Sequence, residues 1–299
     1  MSASTLFVKP ARALIVGGTA GIGKAVAINL ISNLPPSSKI TIAGRNRSSV
    51  ESLLTPDVDF QPIDAALMAR VKDFSADYIR SIESSTLPQV DLLVMSQGIL
   101  STRGRTPTSP ENIDLKMALY YYSRMLLIKE LLPVLSPTAT ILSILDGKRS
   151  DIHASSINWD DLDLAHEENY GLSAARNHCS SMTDAMMEAF AAYEQEGQER
   201  VFIHSYPGVV DTTSSSSNSD LPVYARVALS ALLWVAAVSP EKCAEYMLQG
   251  AATVRNKGKG RYNIDEKGRE VVKKHIGDDL RGKVWDHTWD LIDSQPSPS

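Results

Sequence analysis

Only two cysteines, Cys179 and Cys243, occur in 299 residues. That excludes a disulfide framework and fits a reducing compartment. Cys179 lies in a helical pattern and reads as a small buried hydrophobe. Basic excess is missing too: 30 Lys and Arg face 35 Asp and Glu, for a net charge of −5, and nothing in this balance suggests nucleic acid. Residues 1–9 lack a basic region followed by an apolar one, so no signal peptide is visible. The most apolar window, Leu221 to Val238, is interrupted by Arg226 and bracketed by Pro222 and Pro240. A membrane span needs about 20 apolar residues, so this window reads as a buried or lid helix, and a cytoplasmic location is expected. No group of His, Cys, Asp or Glu has metal-ligand spacing, and no nucleophile elbow occurs. Internal repeats and a convincing linker are also lacking. Residues 1–299 therefore read as one α/β domain, with a lid and C-terminal extension from about residue 213.

What is present begins with Leu14-Ile-Val-Gly-Gly-Thr-Ala-Gly-Ile-Gly-Lys-Ala25. A short apolar run meets Gly17, Gly18, Gly21 and Gly23, and a helical pattern follows at Ile22, Val26, Ala27 and Leu30. This is a strand, a tight turn and a helix start. Glycine permits the turn and a close backbone approach, and the free N–H groups of the helix start favour a pyrophosphate. Thr19 adds a hydroxyl. A second strand, Lys39 to Ala43, runs into Gly44-Arg45-Asn46. At this position an acid favours a free ribose 2′-hydroxyl, whereas arginine accommodates a 2′-phosphate. Arg45 stands there without an acid, which makes NADP(H) the expected cofactor ahead of NAD(H).

Strand-like runs then alternate with helical patterns, the mark of a Rossmann-type, doubly wound parallel sheet of about seven strands with helices on both faces. The remaining expected strands are Val58 to Ile63, Val90 to Met95, Ala139 to Leu145, Val201 to His204 and Gly260 to Ile264. Helices are expected at Arg47 to Leu54, Leu67 to Ile82, Ile113 to Leu135, Tyr170 to Glu194, Val223 to Val238 and Pro240 to Gly250. A docked helix is expected around Trp285 and Trp289. Ser214 to Ser219 reads as a mobile loop, and Asp146 to Asn169 as an acidic irregular stretch.

Val16-Gly-Gly-Thr-Ala-Gly-Ile-Gly23 resembles the TGxxxGxG fingerprint of the short-chain dehydrogenase/reductases. Met95-Ser-Gln-Gly98 stands where that family has its Asn-Asn-Ala-Gly turn, and Pro207-Gly-Val-Val-Asp-Thr212 is similar to its PGxVxT turn. The phrases Ser96 to Leu100 and Tyr121-Tyr-Ser-Arg124 resemble a branch of the family found in filamentous fungi and linked to secondary metabolism. The resemblance implies a cofactor site of Gly17, Thr19, Ala20, Gly21, Ile22 and Gly23, with Arg45 and Asn46 at the ribose. It adds Asp64 at the adenine amino group, Gln97 and Gly98, and Pro207, Gly208, Val210 and Thr212 at the nicotinamide.

The catalytic half matches less well. The family uses a serine, a tyrosine, a lysine four residues after the tyrosine, and a helical asparagine. Tyr170 and Ser173 match their places, but Ala174 stands at the lysine, Asp146 at the serine and Tyr120 at the asparagine. Ser143 substitutes for the serine only with a three-residue shift that also flips its face. The catalytic candidates are therefore Tyr170, Asp146 and Ser143. Tyr170 reads equally as a proton donor or as a structural tyrosine, and Asp146 more readily as a turn residue before Gly147. His178 and His204 read as packed histidines, Arg176 as a surface residue and Tyr206 as a wall of the substrate pocket. Three functions remain open. One is an NADP(H)-dependent oxidoreductase acting on a carbonyl or alcohol of a bulky, largely apolar small molecule. The others are a redox-neutral cyclase, isomerase or dehydratase, and a non-catalytic NADP(H) binder. The long helices flanking the fifth strand admit a homodimer.

Overall fold

The computed structural model describes residues 6–211 and 237–295. The expected loop at Ser214 to Ser219, the helix at Val223 to Val238 except its last two residues, and the cofactor candidate Thr212 lie outside the described residues. Seven parallel strands form one sheet: β1 (Arg12–Val16), β2 (Lys39–Gly44), β3 (Val58–Pro62), β4 (Val90–Met95), β5 (Leu135–Ile144), β6 (Val201–Ser205) and β7 (Gly260–Ile264). Their spatial order is β3-β2-β1-β4-β5-β6-β7. The chain runs outward from β1 through β3 and then returns to the other side of β1. The strand order thus reverses between β1 and β4, where such sheets open a crevice at their carboxyl ends.

Successive residues of β1 serve opposite cores, because strand side chains alternate. Leu14 and Val16 pack on one face with α2 (Met68–Glu83) and α4 (Leu172–Ala192). Ala13 and Ile15 pack on the other with α1 (Gly21–Asn33) and α5 (Pro240–Arg255). Both faces are covered, as the continuous apolar strands require.

Element ends depart from the sequence reading in three places. The expected helix over Arg47 to Leu54 is two 3₁₀ turns, Arg47–Ser49 and Glu51–Leu53. The expected helix from Ile113 to Leu135 is a composite, α3. It comprises Leu115–Met117, a π-helical turn over Ala118–Tyr122, and Ser123–Leu131. It gives way to a 3₁₀ turn containing Pro133, whose missing N–H and fixed φ break the helical ladder. β5 accordingly begins four residues before the expected Ala139. α5 runs on to Arg255, beyond the expected stop at Gly250.

The C-terminal helix α6 (Asp278–Asp293) carries Trp285 and Trp289, which meet Phe190 of α4 edge-on at 5.4 and 6.3 Å. From α3, the Tyr121 hydroxyl shares a 2.6 Å bond with Thr288 and Tyr122 a 2.9 Å bond with His287. The paired tyrosines of the Tyr121-Tyr-Ser-Arg124 phrase thus dock the end of the chain.

Gly23 is required by packing. A Cβ there would stand 2.3 Å from the Gly17 carbonyl oxygen and 2.2 Å from Ser96 Oγ, closer than atoms can approach. Gly23→Ala should therefore destabilise the protein by about 1–3 kcal/mol, the usual cost of overpacking. A shift in the urea midpoint measures this, and an unchanged midpoint would contradict the packing.

Candidate cofactor and active site

The turn after β1 sits at the strand-order reversal. Gly17 has φ +84° and Gly21 φ +51°, the left-handed region open to glycine. A Cβ on Gly17 would meet the Gln97 backbone nitrogen at 2.5 Å, so the loops after β1 and β4 touch only because this residue is glycine. Ala20 is the N-cap of α1. It makes no side-chain cap bond, and the first turn holds no acid. The first N–H groups of α1, Ile22 and Gly23 among them, keep their donors for an anion. At α2, by contrast, Glu111 accepts from the backbone N–H groups of Met68 and Ala69 at 2.7 and 2.8 Å and closes that helix start.

Thr19 packs against Gly44, where a Cβ would lie 2.7 Å from its methyl carbon. Asn46 is exposed and accepts from the Ser48 hydroxyl at 2.7 Å. Arg45 is exposed, and its side chain has no polar partner among the described residues. Together with Asp64, Pro62, Ile63, Leu67 and Phe74 it lines a cleft of about 440 Å³. Asp64 spends one oxygen on the Ala66 N–H at 3.1 Å. Gln97 is buried; its amide nitrogen donates to Ser123 Oγ at 3.3 Å while its Oε1 lacks a partner among the described residues. Gly98 lies under the Tyr120 ring, whose hydroxyl donates to the Ile99 carbonyl. Beyond β6, Pro207 O accepts from the Cys243 thiol at 3.6 Å. Gly208 turns at φ +74°, and Val210 bridges to Val238. An open helix start, two glycine turns and an arginine-edged cleft fit a dinucleotide whose pyrophosphate rests on α1 and whose adenosine end reaches Arg45.

The candidates for chemistry are placed apart. Ser143 is fully buried and accepts from Arg124 Nη1 at 2.7 Å. Arg124 also donates to the carbonyls of Met95 (3.1 Å), Gln97 (2.6 Å), Ile144 (2.9 Å) and Leu119 (3.2 Å), tying the ends of β4 and β5 to α3. Burial pulls its pKa down to about 10. Asp146 sits in the turn before Gly147, paired with Arg149 and Arg176. Tyr170 immediately precedes the Gly171 N-cap of α4. Its hydroxyl donates to Asp114 Oδ1 at 3.0 Å, and Lys116 lies 5.5 Å over its ring. Burial first, and then the Asp114 charge, push the Tyr170 phenol well above its ordinary value. Asp114 also accepts from the N–H groups of Thr106, Lys116 and Met117.

No family model matches the chain. Oxidoreductase AN1596 of Emericella nidulans is 32% identical over 219 residues, covering 71% of this chain and 62% of the relative. Short-chain dehydrogenase/reductase SAT2 of Stachybotrys chartarum is 27% identical, covering 67% and 60%. The chain thus spans about three-fifths of the length of these two relatives. Short-chain dehydrogenase/reductase tropG of Talaromyces stipitatus is 23% identical over 94% of this chain and 90% of its own. Relatives named short-chain dehydrogenase/reductases are thus among the proteins this chain is similar to. The fold agrees. NADPH-bound carbonyl reductase from chicken fatty liver superposes with a TM-score of 0.61 at 16% identity, covering 89% of this chain and all of that one. Angucycline C-6 ketoreductase LanV with bound NADP gives 0.62 at 16%, covering 86% and 94%.

In this chain Ala174 brings no cation to Tyr170. The charged groups at the tyrosine include Asp114, Lys116 and Arg105, which sequence reasoning passed over. Asp114 carries a local signal, since an aspartate before a helix is a common N-cap. Its reach to Tyr170 carries none. Arg124 was visible only as part of a phrase. His178 and His204 are both buried and bonded: His178 Nε2 accepts from the Asn158 N–H at 3.0 Å, and His204 Nδ1 meets Asp184 at 2.7 Å. Both are packed histidines, as the sequence suggested.

Proposed function

We propose that this protein is an NADP(H)-dependent carbonyl reductase acting on a bulky small molecule, in the setting of secondary-metabolite biosynthesis. The observation that carries the reading is the uncapped start of α1 at the end of a turn with positive-φ Gly17 and Gly21, with Arg45, unpaired among the described residues, on the cleft beyond it. The NADPH- and NADP-bound reductases that share the fold support it. Bound NADPH supplies a hydride to the carbonyl carbon. The protein's part is to hold the dinucleotide on the α1 N–H groups, to take the 2′-phosphate at Arg45, and to deliver a proton to the oxygen from Tyr170.

The phenol decides which proton transfer Tyr170 can make at neutral pH. A raised pKa keeps Tyr170 protonated through neutral and mildly alkaline pH, which is the form needed to donate and not the form needed to abstract. The alkoxide left by reduction is a base comparable to hydroxide, the conjugate base of water with pKa about 15.7. Proton transfer to it from Tyr170 is therefore downhill, and at neutral pH the group is held in its donating form.

Incubation with NADPH and a panel of bulky ketones tests the function, with loss of NADPH absorbance as the readout. NADPH should bind more tightly than NADH, and Arg45→Ala should remove most of the difference. An exposed charge-assisted contact is worth about 1.5 kcal/mol, or roughly tenfold in affinity. Equal affinities for the two cofactors in the unaltered protein would remove the assignment. Ala174, standing where the family has the lysine four residues after the tyrosine, favours a redox-neutral step as the second reading. A product of unchanged oxidation state, formed without NADPH loss, would select it.

A further inference from the structure

At the start of the loop after β5, one carboxylate is shared by an arginine of the loop and an arginine of α4. Asp146 meets Arg149 at 3.1 Å and Arg176 at 3.8 Å, so two guanidinium groups share one acid. The acid is 6% exposed and the arginine side chains 51% and 45%, which leaves the excess charge facing outward. Lys148 beside them is committed to Glu266 at 2.7 Å. Arg149 also lies 4.6 Å over the ring of Tyr206, the residue before the Pro207–Gly208 turn. The pair therefore stands at the carboxyl ends of β5 and β6, on the side of the sheet where the crevice opens.

Beneath this loop runs a buried polar network that the proposed reaction does not use. His204 Nε2 accepts from the Asp146 N–H at 3.2 Å, while its other nitrogen faces Asp184. Asn263 donates to the Gly147 carbonyl and to Asp184, both at 2.8 Å, and Ser150 donates to Asp184 at 2.5 Å. A Cβ on Gly147 would lie 2.0 Å from the His204 carbonyl oxygen, so the loop is pressed directly onto β6. Buried polar groups are costly unless bonded, and a fully bonded set makes a rigid base. Arg149 projects from backbone that this network immobilises, and Asp146 holds the second guanidinium beside it.

We infer that Arg149 and Arg176 form a recognition site for a carboxylate on the substrate, so that the molecule reduced is a keto acid. This assignment of substrate class rests on the reductase reading above. A guanidinium offers parallel N–H donors matched to the two oxygens of a carboxylate. Groups already oriented before binding lose little freedom in making those bonds. Asp146 acts here as a positioning residue and not as an acid.

Calorimetric titration with benzoylformate and its uncharged methyl ester tests the site, in the presence and absence of NADP⁺. The acid should bind at least about tenfold more tightly than the ester, a difference of about 1.4 kcal/mol. Arg149→Gln and Arg176→Gln should each remove most of that preference and leave ester affinity unchanged, whereas Arg149→Lys should keep part of it. Equal binding of acid and ester overturns the inference, as does the absence of saturable acid binding or a preference that survives both glutamine variants. Acid preference without NADP⁺ binding would keep this site and sink the reductase reading. NADP⁺ binding without acid preference would do the reverse.

Discussion

Tyr170→Phe should lower NADPH-driven ketone reduction by roughly 10²–10⁴-fold, the usual contribution of a positioned proton donor. NADPH affinity should stay unchanged, because the hydroxyl bonds to Asp114 and not to the glycine turns. The pH dependence separates this role from a structural one. The raised phenol pKa keeps the proton on Tyr170 as pH climbs, so the reduction rate should show no falling limb from this group through neutral and mildly alkaline pH. Alcohol oxidation needs the phenolate and should rise only as pH approaches that high value. Asp114→Asn removes the charge that disfavours the phenolate and should move the oxidation limb to lower pH. Kinetics of the two variants in both directions measure these outcomes. A Tyr170→Phe enzyme within a few-fold of the unaltered rate would leave Tyr170 as a latch between α4 and the loop before α3.

Arg124→Met should cost about 3–5 kcal/mol of stability, the range seen when one partner of a buried charged network is removed. The substitution keeps an apolar stem and deletes every donor. The carbonyls of Met95, Gln97, Ile144 and Leu119 and the Ser143 hydroxyl all lose a partner inside the protein. Arg124→Lys should recover only part, since one ammonium group with three donors cannot span the ends of both strands. Urea unfolding measures both variants. A loss below about 1 kcal/mol, the worth of one ordinary hydrogen bond, would show that the strand ends hold without the guanidinium.

Much of the fold was legible because its signals are local. β4 lies where its apolar run placed it, since a buried parallel strand is a short, mostly apolar segment. Helix ends were less legible. Ile113 to Leu135 is rich in apolar residues to its end, and periodicity does not show where such a helix passes into a strand. Pro133 was the local sign of that change.

The sequence by itself determined the strand–glycine–helix turn, the arginine after β2, the alternation that makes a doubly wound sheet, and the alanine at 174. Each of these is written in contiguous residues, so backbone geometry and side-chain period suffice to read it. The tertiary structure alone decided the partners. Tyr170 bonds an aspartate 56 residues away, and Tyr121 bonds a threonine 167 residues away. Arg124 gathers carbonyls from two strand ends, and Asp146 joins an arginine of its own loop to one on α4. The strength of such pairs depends on distance and burial, and both are set only when the sheet brings separate strand ends to one edge.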